Sequence, residues 1–199
     1  MDLLWTDFLN SDWRDWRGTG RREDRLENPQ WLRQFLDTWK LQATTPLEPG
    51  ELAALKEFRG RLRAMADTLA LGESLGDADF RELNRVMDQG PVIRRITRTD
   101  EGQRLDFLPL QPNWTQVMAE IAASFAGTLA GGDGGRVRFC ANPDCLWVFY
   151  DDTRNRNKRF CEDKLCGNLM KVRRFRARRR GSYSGPETGP ECCPDDELT

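Results

Sequence analysis

The sequence predicts a mainly α N-terminal domain carrying a small β-hairpin, followed by a small C-terminal unit of turn, hairpin and helix pinned by cysteines. Three observations predict it. Apolar residues recur at helical spacing through most of residues 1–130. Four of the six cysteines form two matched pairs beyond that point. Between these regions stands Gly131-Gly132-Asp133-Gly134-Gly135, four glycines in five residues, which reads as a flexible linker. The expected layout is 1–130 helical domain, 131–135 linker, 136–180 cysteine unit and 181–199 a disordered acidic tail with almost no apolar residues.

Asn28-Pro29 reads as a helix start, an N-cap followed by proline at the first helical position. Trp31, Leu32, Phe35, Leu36 and Trp39 then form one stripe. A longer helix is expected from Pro49 to Leu71, burying Leu52, Leu55, Phe58, Leu62, Met65 and Leu69. Asp77-Ala78-Asp79 opens another through Phe80, Leu83 and Val86-Met87, ending at Gly90-Pro91. Val92–Arg98 and Arg104–Leu110 read as two strands, with Leu105, Phe107 and Leu110 on a buried face. Asn113 caps a last helix carrying Trp114, Val117, Met118, Ile121, Phe125 and Leu129.

The 199 residues carry 31 Lys+Arg and 32 Asp+Glu, a net charge of −1 that conceals a division. Residues 136–180 sum to +9, residues 1–135 to −5 and residues 181–199 to −5. A basic module between acidic regions points to a polyanionic partner. No apolar run approaches the ~18 residues that cross a bilayer, and the start lacks a basic, cleavable leader pattern. The expectation is a soluble cytoplasmic protein with no membrane partner. Histidine is absent, which excludes Ser-His-Asp and Cys-His catalysis and any imidazole switch. A zinc site must then be built from Cys, Asp or Glu.

Cys140 and Cys145 have four residues between them, as do Cys161 and Cys166, and fifteen separate the pairs. In a reducing compartment this spacing favours a metal over disulfides, and zinc takes four such thiolates as a tetrahedron. One structural Zn²⁺ would staple a unit of ~45 residues too small to bury a sufficient core. The alternative is four unligated buried thiols. Leu146–Tyr150 is strand-like, Asp151–Asn155 turn-rich, and the stretch after Cys166 helical, an order like that of treble-clef modules. Cys192-Cys193, in the acidic tail, is expected to bind nothing.

Cys140-Ala-Asn-Pro143-Asp-Cys145, Phe149-Tyr-Asp151-Asp-Thr153-Arg154-Asn155, Arg159-Phe160-Cys161 and Cys166-Gly167-Asn168 together resemble the CGNR zinc finger family. The opening Asp7-Phe8-Leu9-Asn10-Ser11, with Trp13 and the Asn28-Pro29 helix, is similar to the N-terminal domain of that family, the ABATE type. The resemblance implies a bacterial, stress-linked transcription regulator with a ligand-sensing N-terminal domain. Leu169 stands where the family usually has Arg, removing a cation beside the metal, and Phe160 stands where Trp is common.

After Gly167 the chain is dense in cations. Leu169, Val172 and Phe175 should pack on the hairpin, leaving Lys171, Arg174 and Arg178 outward with Arg173 and Arg176 beside them. With Arg154, Arg156, Lys158 and Arg159 of the hairpin tip, these are the candidates for contact with duplex DNA. The bland readings are a solvated charged face, or cations complementing the helix dipole. Asn155, Asn157 and Asn168 are candidate readers of adenine, although Asn168 equally suits a helix cap or a hydrogen bond to a thiolate. In the N-terminal region, Trp5, Phe8, Trp13, Trp16, Trp31, Phe35 and Trp39 read as core or as the wall of an effector pocket. Asn10, Trp13 and Arg14 are its candidate contacts, with Arg17 as a further polar handle. An effector would act by repositioning the domains across the linker or by shifting a homodimer equilibrium. The rivals are an RNA- or protein-binding zinc module and a thiolate redox sensor; an enzyme is not expected, because no nucleophile–base pair is recognisable.

Overall fold

The computed structural model of the chain describes residues 3–181, in the order α1 (Leu4–Leu9), β1 (Asp12–Arg14), β2 (Arg22–Asp24), α2 (Pro29–Trp39), α3 (Pro49–Ala70), α4 (Asp77–Met87), β3 (Val92–Thr99), β4 (Gly102–Pro109), α5 (Trp114–Ala130), β5 (Val137–Phe139), β6 (Val148–Tyr150) and α6 (Asn168–Gly181). The expected acidic tail beyond Gly181, with Cys192-Cys193, lies outside the described residues. Local chemistry sets the helix starts. Asn28 Oδ1 accepts from the backbone N–H groups of Gln30 and Trp31, and Asn113 Oδ1 from that of Gln116. Asp79 reaches back to accept from Gly76 N at 2.9 Å, which opens α4.

The anticipated stripes meet in one core. Leu32, Phe35 and Leu36 of α2, Leu55, Phe58, Leu62, Met65 and Leu69 of α3, and Trp114, Val117, Ile121 and Phe125 of α5 are all buried. The short α1 lies among them: Trp5 meets Phe125 edge-on at 5.1 Å and Phe8 stacks on Phe58 at 5.8 Å. Gly90 is a point of close approach after α4, since a Cβ there would lie 2.2 Å from that of Ala119.

The strands pair as three separate antiparallel hairpins, β1–β2, β3–β4 and β5–β6. The first went unread in the sequence because its strands are three residues long and flanked by charge. It is stapled by the buried Asp15, whose carboxylate accepts from Thr19 Oγ1 at 2.7 Å and Arg17 N at 3.1 Å. The β3–β4 hairpin corrects another expectation. Leu105, Phe107 and Leu110 do not form a buried face; each is more than half exposed, and Ile96 opposite Leu105 is 73% exposed. Nothing packs over this arm among the described residues closely enough to bury it, so alternation here marks a sheet face without marking the core.

The glycine stretch also differs from a loose tether. Gly134–Arg136 form one turn of 3-10 helix, and the strand that follows enters the helical core directly. Val137 of β5 and Val148 of β6 are buried in the same cluster as Leu62 and Phe125. The C-terminal unit is therefore fused to the helical one through shared apolar contact.

Candidate metal centre and nucleic-acid surface

Cys140 follows β5 and Cys145 precedes β6, so the first pair sits in the turn of the β5–β6 hairpin. Cys140 N donates to Trp147 O at 2.8 Å and Cys145 N to Asn142 O at 3.0 Å, closing a tight knuckle. Ala141 N donates to Arg159 O at 2.8 Å, which draws the returning chain alongside. Cys161 precedes a single wide turn, Asp163–Gly167, which carries Cys166 and leads straight into α6.

The four Sγ atoms lie within 4.8 Å of one another, with Cys145–Cys161 at 3.7 Å and Cys161–Cys166 at 3.8 Å. A tetrahedron of thiolates around zinc, with Zn–S near 2.3 Å, has edges of about 3.8 Å. The spacing fits zinc and is far from a disulfide bond length. The electrostatics agree. Without a cation, the S–H groups of Cys145 and Cys161 hold the Cys140 thiol down to about 2. Hydrogen bonding to Cys140 pushes Cys145 up to about 12 and drives Cys161 up as well, while burial raises Cys166. One thiolate is tolerated and four are not, unless a divalent ion compensates them. Cys140, Cys145, Cys161 and Cys166 form the site of one structural zinc. No fifth His, Asp or Glu joins this group among the described residues.

Two buried polar residues, without an assigned role on sequence grounds, shape the module. Asn142 is wholly buried and its Nδ2 donates both to Cys166 Sγ at 3.4 Å and to Trp16 O at 2.8 Å. The amide that serves the thiolate is thus Asn142; Asn168 instead donates to Lys164 O at 3.0 Å. Asp151, also wholly buried, accepts from Thr153 N and Lys158 N and so frames the loop bearing Arg154 and Arg156. The sequence signal for Asn142 is an Asn inside the turn between two metal ligands, and that for Asp151 is an Asp opening a turn-rich stretch.

Asn10, Trp13 and Arg14 are brought together, lining a cavity of about 460 Å³ between the helical unit and the zinc module. Asn10, however, spends its amide on the module: Nδ2 donates to Val148 O at 2.9 Å and Oδ1 accepts from Val148 N at 3.0 Å. Of the aromatic set, Trp5, Phe8 and Phe35 are core, whereas Trp13, Trp16 and Trp39 line this cavity.

The cationic candidates divide. Arg154, Arg156, Arg159, Lys171, Arg174, Arg176 and Arg178 are exposed, and Lys158 is half-buried with its Nζ 5.4 Å from the Phe149 ring. Arg173 is committed elsewhere: Nη1 donates to Asp144 at 2.6 Å and Nη2 to Arg17 O at 2.9 Å. These bonds dock α6 on the knuckle and on the β1–β2 loop. Gly18 of that loop has φ +87° and sits so close that a Cβ would lie 2.7 Å from Arg173 Nη2. Val172 and Phe175 correct the sequence reading of this helix. Both are exposed, and Met170 packs on the cysteine cluster in their place.

A helical domain with short hairpins, fused to a four-cysteine zinc module with a basic terminal helix, is the class of protein these features define. Residues 2–132 match the ABATE family, described as "Putative stress-induced transcription regulator", and residues 136–179 match the CGNR zinc finger. The chain belongs to the ABATE family. A search among curated proteins finds no match to it.

Proposed function

We propose that this protein is a DNA-binding transcription regulator whose zinc module presents α6 to duplex DNA and whose helical domain senses a small molecule. The observation that carries the reading is the composition and exposure of α6. Lys171, Arg174, Arg176 and Arg178 are exposed on a helix with no acidic residue, rigidly docked by Arg173. Such a surface neutralises phosphates and releases their counterions. The metal's part is structural, since four thiolates complete a tetrahedral shell and leave no position for a reacting water; catalysis is not part of the proposal. Among the described residues no helix is long and apolar enough to cross a membrane.

The test is binding of the zinc-loaded chain to a random duplex pool across a salt series. Four phosphate contacts give a log–log slope of about −3.6. Affinity that is flat between low and high salt would sink the reading, and a preference for single-stranded RNA would replace DNA with RNA. A second reading rests on Val172 and Phe175. An apolar pair exposed on the same helix suits a protein partner, a second copy of this chain included.

A further inference from the structure

We infer that the cavity between the helical unit and the zinc module binds a flat aromatic small molecule carrying a hydrogen-bond acceptor; this rests on the effector-sensing reading and names its site and chemical class. At about 460 Å³ the cavity falls within the ordinary range for small-molecule sites, about 300–1,000 Å³. Its walls are unusually aromatic. Trp13, Trp16 and Trp39 come from the helical unit, and Trp147 and Phe149 from β6 and the residue before it. Flat π faces on several sides select a planar guest over a branched one.

The acceptor follows from Trp147. Its indole Nε1 is buried and has no hydrogen-bond partner, an omission that costs about 1–3 kcal/mol for a buried donor. Three other polar wall groups are in use: Asn10 holds Val148, Thr6 Oγ1 donates to Leu3 O at 2.7 Å, and Asp7 accepts from Trp39 Nε1 at 2.8 Å. Cations already attend the rings. The Arg25 guanidinium lies 5.5 Å from the Trp13 ring and 6.0 Å from that of Trp147, Arg17 lies 5.0 Å from Trp16, and Arg14 lines the cavity itself. Asp7 and Glu162 line the cavity as well, so charge alone does not choose the guest; the unpaired Trp147 donor does, and an ammonium group has no lone pair with which to accept from it. Because the walls come from both units and include Cys145, Cys161 and Cys166, the guest sits against the zinc centre. Occupancy then favours the docked arrangement that holds α6 in place.

The experiment uses the zinc-loaded full chain with labelled indole N–H groups, followed by NMR as naphthoate is titrated in. One indole resonance, identified by its absence in Trp147→Phe, is expected to move saturably, and Trp147→Phe is expected to weaken naphthoate about tenfold. Thr38→Phe, at an exposed lining position, fills the mouth and is expected to abolish the shift while zinc content stays unchanged. A Trp147 resonance that does not respond in the unmodified chain overturns the site. Naphthylmethylammonium, the same ring bearing a cation, binding as tightly as naphthoate overturns the class. Salt-dependent DNA binding is measured on the same preparation without naphthoate, so its loss would strike the DNA reading and leave the cavity result standing.

Discussion

At the scale of single residues, the decisive groups are buried polar side chains that each satisfy two partners. Asn10 completes both polar groups of Val148, and Asn142 joins a zinc thiol to the Trp16 carbonyl. Neither is remarkable in one dimension, since an asparagine is ordinary in a turn; its worth comes from what the fold places opposite it. A pH dependence of stability follows from Glu82. Both its oxygens accept from Arg85 at 2.8 Å and one also from Arg61, which holds the carboxyl at about 2 against an ordinary 4.5. Because the folded value is depressed, the stabilisation is fully present above the ordinary value and is lost as pH falls toward about 2. The two arginines are largely exposed, so solvent screening reduces it to about 1 kcal/mol. Glu82→Gln is expected to lower stability by that amount at neutral pH and by almost nothing at the acid end. Denaturant unfolding at a series of pH values checks it, and a difference that grows on acidification would show the wrong sign.

At the scale of elements, α6 has two kinds of arginine. Arg173 points back to Asp144 and the β1–β2 loop, whereas Arg174 faces solvent. Arg174→Ala is expected to weaken duplex binding and to reduce the magnitude of the salt slope by about 1, with stability unchanged. Arg173→Ala is expected to cost about 1 kcal/mol of stability, because it removes a partly solvent-screened ion pair with Asp144 and the donor to the Arg17 carbonyl. Equal effects of the two substitutions on both readouts would refute the division. The β3–β4 arm shows the same point from the apolar side. Its alternation was legible as strand, and Val92–Thr99 pairs with Gly102–Pro109 as read, but its hydrophobic face is uncovered. Periodicity reports which residues share a face and is silent on what lies against it.

At the scale of the whole molecule, zinc module and helical unit share one core. Val137 and Val148 are buried among α3 and α5 residues, Arg63 Nη2 donates to Leu146 O at 2.9 Å, and the Arg63 guanidinium lies 4.2 Å from the Phe139 ring. On sequence grounds, Cys161→Ser would melt residues 139–180 and spare the rest. The shared core changes that expectation. Unfastening the module withdraws two valines from the helical core, at about 1.5–3 kcal/mol each. Cys161→Ser, or removal of zinc by a chelator, is therefore expected to lower the melting temperature of the entire chain. Far-UV circular dichroism with parallel zinc analysis decides it: a helical transition unmoved by zinc loss would restore the picture of two independent units.

The amino-acid sequence by itself determined the metal site and most of the helices. Cysteine spacing, the absence of histidine and capped apolar stripes are local signals, written within one or two turns of chain, and they required no partner to be read. It also localised the basic charge to residues 136–180. What only the tertiary structure decided are the relations across distance. They include the clamp between Asn10 and Val148, the use of Arg173 for docking, the exposure of Val172 and Phe175, and the gathering of Trp13, Trp16, Trp39 and Trp147 around one cavity. The physical reason is that propensity and periodicity are properties of neighbours in sequence, whereas burial, hydrogen-bond satisfaction and charge pairing depend on which surface meets which. Here such surfaces lie from tens to more than a hundred residues apart in the chain, Arg173 and Asp144 at a separation of 29 and Asn10 and Val148 at 138.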